Sequence, residues 1–240
     1  YTNGVNARFG MIGGGANNVI YSGAPYGTIG GGLQNGASSN AAVVAGGYYN
    51  LASGFEAVVA GGEGNTASGS VAFVGSGITN LASGIVSFVG GGELNGATTQ
   101  GAAVVGGYGN LASATNSIIG GGVSNVSSGI IAFVGGGFFN AATNYGAMIA
   151  GGVSNYASGY EAVIGGGELN TASGSISHVG GGYDNGATNY GAVVGGGFAN
   201  IAGGTNSLVA GGSYNVASGV VSTVGGGYYN GATGQGSTVP

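Results

Sequence analysis

Small and branched apolar residues return at fixed places along this chain, separated by glycine, serine and asparagine. The stretch from Asn50 to Gly62, NLASGFEAVVAGG, recurs with small changes from end to end. Each copy is counted here from its asparagine as position zero. The second position is then Ala or Ser from Ala37 to Ala232, the seventh is Ala or Ser from Ala42 to Ser237, and the ninth is Val or Ile from Val44 to Val239. Glycine pairs such as Gly46 and Gly47 fill the eleventh and twelfth positions, with Ser76 as an exception. Sixteen asparagines keep this phase, from Asn3 and Asn18 through Asn35 and then every fifteen residues to Asn230. A fixed period of this kind defines a repeat array, and it is read before any local motif.

Within one repeat the apolar residues alternate. Segments such as AVV, SFV and AMI at positions seven to nine place a small residue inward, a variable one outward and a branched one inward, which is the period-two signature of a strand. A second strand is predicted around N-x-A-S/T, with Asn and Ala on the same side. Ser-Gly at positions three and four and Gly-Gly at eleven and twelve are predicted corners, where glycine takes positive φ without strain. Helix is excluded by the density of Gly, Ser, Asn, Val and Thr and by the lack of a 3.6-residue period. At about 3.3 Å per residue a repeat spans about 50 Å, one narrow turn of a coil whose backbone pairs with the turns above and below.

The predicted fold is therefore all-β: a parallel β-solenoid, or β-roll, of about sixteen 15-residue turns with two short strands each, forming a single array over residues 1–240. A chain of hairpins, suggested by Asn-Gly at 35/36, 95/96, 185/186 and 230/231, fails because the same glycine position holds Leu51, Leu81, Val126 or Ile201 in other copies. Two extra residues between Asn18 and Asn35, around Pro25, are expected to bulge as a loop within 19–29, since proline has no amide hydrogen for a ladder. Both ends fall in mid-repeat, as in a segment cut from a longer protein, and such uncapped ends favour end-to-end stacking.

The core of such a coil is thin: columns of Val or Ile, Ala or Ser, and asparagine. The asparagines Asn35, Asn50, Asn65, Asn80, Asn95, Asn110, Asn125, Asn140, Asn155, Asn170, Asn185, Asn200, Asn215 and Asn230 are expected to form a ladder, each amide bonding to the next along the stack. Removal of one rung is expected to cost about 1–3 kcal/mol.

A longer rhythm lies over the short one. Turns beginning at Asn95, Asn140, Asn185 and Asn230 share G/A-A-T-x-x-G; those at Asn80, Asn125 and Asn215 share A/S-S-G followed by two aliphatics; those at Asn110, Asn155 and Asn200 form a third type, two of which carry Asn116 and Asn206. The 45-residue superperiod has two explanations: duplication of a three-turn segment, or an outside contact on every third turn.

Composition narrows the functions. Of 240 residues 63 are glycine, cysteine and tryptophan are absent, and Arg8 is the single cationic side chain against six acids, for a net charge of −5. One cation cannot neutralise a run of phosphates, so nucleic acid and anionic membrane surfaces are excluded as partners. No run of about 18 apolar residues exists, so membrane insertion by a helix is not expected. The low charge and the phased aliphatic columns argue against disorder.

The columns N-x-A-x-G-x-x-A/S-x-V-x-G, best seen in SGFEAVVAGG and SGIVSFVGGG, resemble the head repeats of YadA-like trimeric autotransporter adhesins, with a period one residue longer here. That resemblance implies a left-handed parallel roll, trimerisation, and adhesion to host or cell surfaces. The repeats are also similar to phage tail-fibre repeats, which bind or cleave surface polysaccharide, and to grass ice-recrystallisation inhibitors.

Material for catalysis is sparse, and no enzyme activity, metal or cofactor is expected. His178 stands alone at an eighth position filled elsewhere by residues such as Val43, Phe88, Met148 and Leu208, and Asp184 is the one aspartate. Glu168 and Asp184 occupy neighbouring columns one turn apart, the single place where paired carboxylates of a glycosidase could arise. Ser or Thr at position three runs from Ser38 to Thr233, but the first position varies from Gly to Leu to Tyr, unlike the paired threonine ranks an ice-binding face needs.

The outward columns carry the functional expectation. Position eight presents Val43, Val58, Phe73, Phe88, Ile118, Phe133, Met148, Val163, Val193 and Leu208 beside a tenth position that is mostly Gly or Ala, and so forms a ridge suited to self-association. Positions thirteen and fourteen add Tyr48, Tyr49, Tyr108, Phe138, Phe139, Tyr183, Phe198, Tyr214, Tyr228 and Tyr229, an aromatic surface either stacking along the coil or packing against a neighbour or a sugar face. The expected protein is an extracellular structural or adhesive fibre whose partners are other copies of itself, as trimer or filament, with carbohydrate or a host surface as a second class. Ice binding and polysaccharide recognition are the alternatives.

Overall fold

The computed structural model describes residues 2–240, all in strands, turns and bends with no helix. Two compact units follow one another in the chain, Tyr1–Gly122 and Val123–Pro240. Each is a parallel β-solenoid of eight turns with one ladder asparagine per turn.

A turn contains two strands of two residues, such as Leu51–Ala52 and Val58–Val59. Each pairs in parallel with the strand fifteen residues on: Leu51 with Thr66, Ala52 with Ala67, Phe73 with Phe88 and Val74 with Val89. The strands are short because inward and outward residues alternate only twice before the chain must bend to close a narrow coil. Ala52, Ala57 and Val59 are fully buried while Val58 is half-buried on the outside, so the alternation read from the sequence is the one the backbone adopts.

A third ladder is present that the sequence pattern did not announce. Position thirteen forms single-residue parallel bridges from turn to turn, including Tyr48 with Glu63 and Tyr183 with Phe198. Its side chains share no chemistry, which is why no pattern marks it: the bridge is made by backbone alone.

The corners differ from expectation in a way the hydrogen bonds explain. Most amides donate to the turn that follows, as Ser53 N does to Ala67 O and Val58 N to Ala72 O. At positions six and fourteen the direction reverses: Glu56 N donates to Asn40 O, and Gly64 N to Tyr48 O, both in the preceding turn. Turning the amide backwards requires a left-handed backbone, so Glu56 has φ 53° and Tyr49 φ 55° although neither is glycine. The fourth-position glycines expected to take positive φ do not. Gly69 is there because a Cβ would collide with the carbonyl of Gly84 in the next turn. The twelfth position does match expectation, with Gly47 at φ 95°.

The two inserted residues leave the ladder unbroken. Asn35 N donates to Asn18 Oδ1 at 3.0 Å across a seventeen-residue step, while Tyr21 to Gly27 loops out with Ala24 buried beneath it.

The ladder contains the expected amide-to-amide bonds at several rungs, such as Asn155 Nδ2 to Asn140 Oδ1 at 3.1 Å, and adds backbone partners to them. Asn50 Oδ1 accepts from the backbone N–H of Asn65 at 3.0 Å, and Asn50 Nδ2 donates to Gly46 O at 2.9 Å and Gly62 O at 2.8 Å. Each side chain thus ties the glycine corners on either side of its own turn. Direct contacts between amides, such as Asn80 Nδ2 to Asn65 Oδ1 at 3.0 Å, accompany this scheme at some rungs. The asparagines are nonetheless buried, Asn65, Asn125 and Asn170 completely, and the satisfied amide makes that burial tolerable.

Candidate interaction surface

Since every turn repeats the same backbone, whatever stands at an outward position is repeated as a column about 4.8 Å from its neighbours. Three such columns are candidates.

On the outer face of the second strand, Phe88, Ile118, Met148 and Leu208 are exposed, while Val43, Val58, Phe73, Phe133, Val163 and Val193 are half-buried by the residues on either side. Register brings Phe73 and Phe88 into a stacked pair with centroids 5.6 Å apart and planes 5° from parallel. The ridge is interrupted by Ala103 in the first unit, and by His178 and Thr223 in the second.

Around position thirteen the aromatic residues named from the sequence are all exposed. In the first unit they form a local edge-on pair, Tyr48 with Tyr49 at 4.4 Å. In the second they connect through successive turns: Tyr183 stacks on Phe198 at 5.2 Å, Phe198 meets Tyr214 edge-on at 5.2 Å, and Tyr214 stacks on Tyr229 at 4.8 Å. This five-ring cluster, with Tyr228, is the most extensive aromatic contact among the described residues.

The third column is the corner at positions five and six, seen in the sequence only as two aliphatics every third turn. The sixth residue is left-handed in every turn for the reason given above, and glycine or asparagine suits that geometry best. Gly101, Gly146, Gly191, Asn116 and Asn206 supply it in some turns. Elsewhere the same site holds Val71, Val86, Ile131, Ile176 and Val221, at φ between 52° and 57°. A branched side chain in this region costs about 1–2 kcal/mol each. None of that cost is recovered by burial, for Ile176 is 50% exposed and Val221 57%.

The two carboxylate residues named from the sequence stand on neighbouring turns. Asp184 N donates to Glu168 O, so the residues are adjacent through the backbone, but Asp184 faces a shallow notch lined by Thr171, Asn185, Gly186, Thr188, Ala199 and Ile201, and Glu168 does not line it. The notch exists because Gly186 leaves a gap between Thr171 and Ile201 on the outer face of the first sheet. Among the described residues no three His, Cys, Asp or Glu side chains come close enough to share a metal ion, and no helix is long and apolar enough to cross a membrane. Three tyrosines have phenol pKa values raised above the usual one. The carboxylate of Glu161, first, raises the Tyr160 phenol above its usual pKa; for Tyr48 and Tyr228 partial desolvation is the leading cause, ahead of the neighbouring tyrosines.

No family model and no curated protein matches this chain. The reading of its function therefore rests on these surfaces.

Proposed function

We propose that this chain is a non-catalytic structural or adhesive scaffold that associates side by side with copies of itself through its outward apolar columns. The observation that carries the reading is the ridge at position eight. Phe73 and Phe88 are stacked in register on the outside of the sheet and continue a line of half-buried and exposed aliphatic residues. Apolar columns of this length are stabilised by removal from water, and on a repetitive backbone a second repetitive surface is what fits them. The extracellular setting rests on the resemblance of SGFEAVVAGG and SGIVSFVGGG to adhesin head repeats.

The test is sedimentation and light scattering over a wide concentration range, with electron microscopy of the same samples. Oligomers or filaments are expected, and replacement of Phe73, Phe88 and Phe133 by Asp is expected to reduce them while the β spectrum is unchanged. A monomeric mass at every concentration overturns the reading.

A further inference from the structure

Resting on the self-association reading, the geometry points to a specific contact: the left-handed corner of the second unit pairs with the same corner of another copy, antiparallel, about a two-fold axis between Ile176 and Gly191. The observation is the order of residues at position six. From Ile131 the column runs Ile131, Gly146, Glu161, Ile176, Gly191, Asn206, Val221, Gly236, so aliphatic, glycine and polar residues alternate with a three-turn period. Read backwards, this order complements itself. Ile131 then faces Gly236, Gly146 faces Val221, Glu161 faces Asn206 and Ile176 faces Gly191.

Other alignments lose this match. A parallel pairing in register sets Ile against Ile and Glu161 against Glu161, a clash of bulk and of like charge. A parallel pairing staggered by one turn places Ile131 against Gly146 but Gly146 against Glu161 and Glu161 against Ile176, so a carboxylate is desolvated on an aliphatic surface. Within the second unit the antiparallel alignment about Ile176 and Gly191 matches aliphatic to glycine and polar to polar across all eight turns, whereas one centred on Glu161 sets that carboxylate against its own copy. A pairing in which each patch meets its own copy is the isologous contact of two-fold dimers. Gly236 is open, with nothing within 4 Å of a Cβ there, whereas a Cβ on Gly146 would lie 3.0 Å from Glu161 Cγ and one on Gly191 would overlap Asn206 Oδ1, so at these two rungs the facing aliphatic side chain packs on the glycine together with its polar neighbour.

Fold requirements do not explain the aliphatics. Gly204 and Asn206 form a corner of the same kind as Gly174 and Ile176, so asparagine serves there without branched strain. Strain retained on an exposed residue at a regular interval indicates an outside contact. At about 4.8 Å per turn the strip is about 34 Å long, at the small end of specific interfaces, and the contact is expected to be reversible and concentration-dependent. In the first unit only Val86, Gly101 and Asn116 follow this order, after Phe9, Tyr26, Ala41, Glu56 and Val71, so that unit does not pair with itself in this way.

Two variants test the pairing in the whole chain. Ile131→Asn, Ile176→Asn and Val221→Asn combined are expected to weaken self-association at least tenfold in sedimentation equilibrium, with thermal stability equal or higher. The chain has no cysteine, so a mixture of Tyr160→Cys and Thr205→Cys chains is expected to form the mixed disulfide, because these flanking residues face each other in the antiparallel dimer. Crosslinking of Tyr160→Cys to itself in preference to the mixed product, or no mixed product in a sample that associates, overturns the pairing. Unchanged association of the triple variant also overturns it and leaves the broader reading standing. A wild-type chain monomeric at all concentrations overturns both.

Discussion

The backbone amide of Asn65 donates to the side-chain Oδ1 of Asn50 at 3.0 Å, and Asn65 in turn receives Asn80 N at 2.9 Å on its own Oδ1. Asn65 is thus an acceptor for the turn after it, while its Nδ2 holds the carbonyls of Gly61 and Gly77, one in each of the corners on either side of its turn. This divides the two halves of one amide between two tasks, spacing the turns and closing the coil, and it makes the identity of the residue stringent.

Asn65→Asp keeps the shape and removes both donors. The carboxylate would face Gly61 O and Gly77 O, which now accept at 2.9 Å and 2.7 Å, inside a fully buried site. A loss of about 3–5 kcal/mol is expected at pH 7. Burial raises the pKa of this carboxyl in the folded state, so the protein binds more protons than the unfolded chain, and the defect is expected to shrink as pH falls through the raised value. Denaturant unfolding at pH 7 and pH 4 checks this; a defect that grows with acidity contradicts the ladder geometry.

Glycines of neighbouring turns are expected to respond in opposite ways. A Cβ at Gly69 meets the Gly84 carbonyl, whereas a Cβ at Gly61 meets nothing within 4 Å. Gly69→Ala is expected to cost about 1–3 kcal/mol through forced backbone displacement. Gly61→Ala is expected to be neutral or to stabilise by up to about 1 kcal/mol. Serine already stands at the equivalent site as Ser76. Comparable losses at both sites in thermal melts would refute the steric account.

Ser87, Ser177 and Ser222 bury hydroxyls that find no partner, at a position where most turns carry alanine. Ser177→Ala is expected to stabilise by about 1 kcal/mol, since it removes an unsatisfied polar group without opening a cavity. A stability loss in chemical denaturation would show that the hydroxyl is bonded in solution.

Val71→Asn, in the first unit, isolates the corner strain from any pairing in the second. Val71 sits at φ 57° and is 46% exposed, so asparagine is expected to stabilise by about 1 kcal/mol. A fall in melting temperature would mean that the branched side chain makes contacts of its own.

Tyr160 stacks on Tyr145 at 5.2 Å with Glu161 beside it, and that charge raises its phenol pKa. The folded value lies above the unfolded one, so the contribution to stability is present below about pH 10 and is lost as pH rises through the raised value. Glu161→Gln is expected to lower the midpoint of one tyrosine in an ultraviolet titration. An unchanged curve would contradict the coupling.

Architecture was legible because four positions per turn had little freedom. Asn at zero, Ala at two, Ala or Ser at seven and Val or Ile at nine face a space a few ångströms wide, so the same small set returns every fifteen residues and the period identifies both the fold and its core. The inward and outward sides of each strand followed from alternation alone. Outward ridge and aromatic residues could also be named, because a column of side chains inherits the period of the backbone beneath it.

The structure alone decided the direction of the hydrogen bonds. Amides at positions six and fourteen point back to the preceding turn, a long-range choice that leaves no mark in composition, since Glu56, Tyr49, Gly101 and Ile176 all adopt the backbone it imposes. Only with that geometry known do Ile131, Ile176 and Val221 appear as strained and exposed rather than as variable surface. The sequence by itself determined that the chain coils and what fills the coil; the tertiary structure decided which corners carry left-handed residues, because that depends on where the neighbouring turns place their carbonyls.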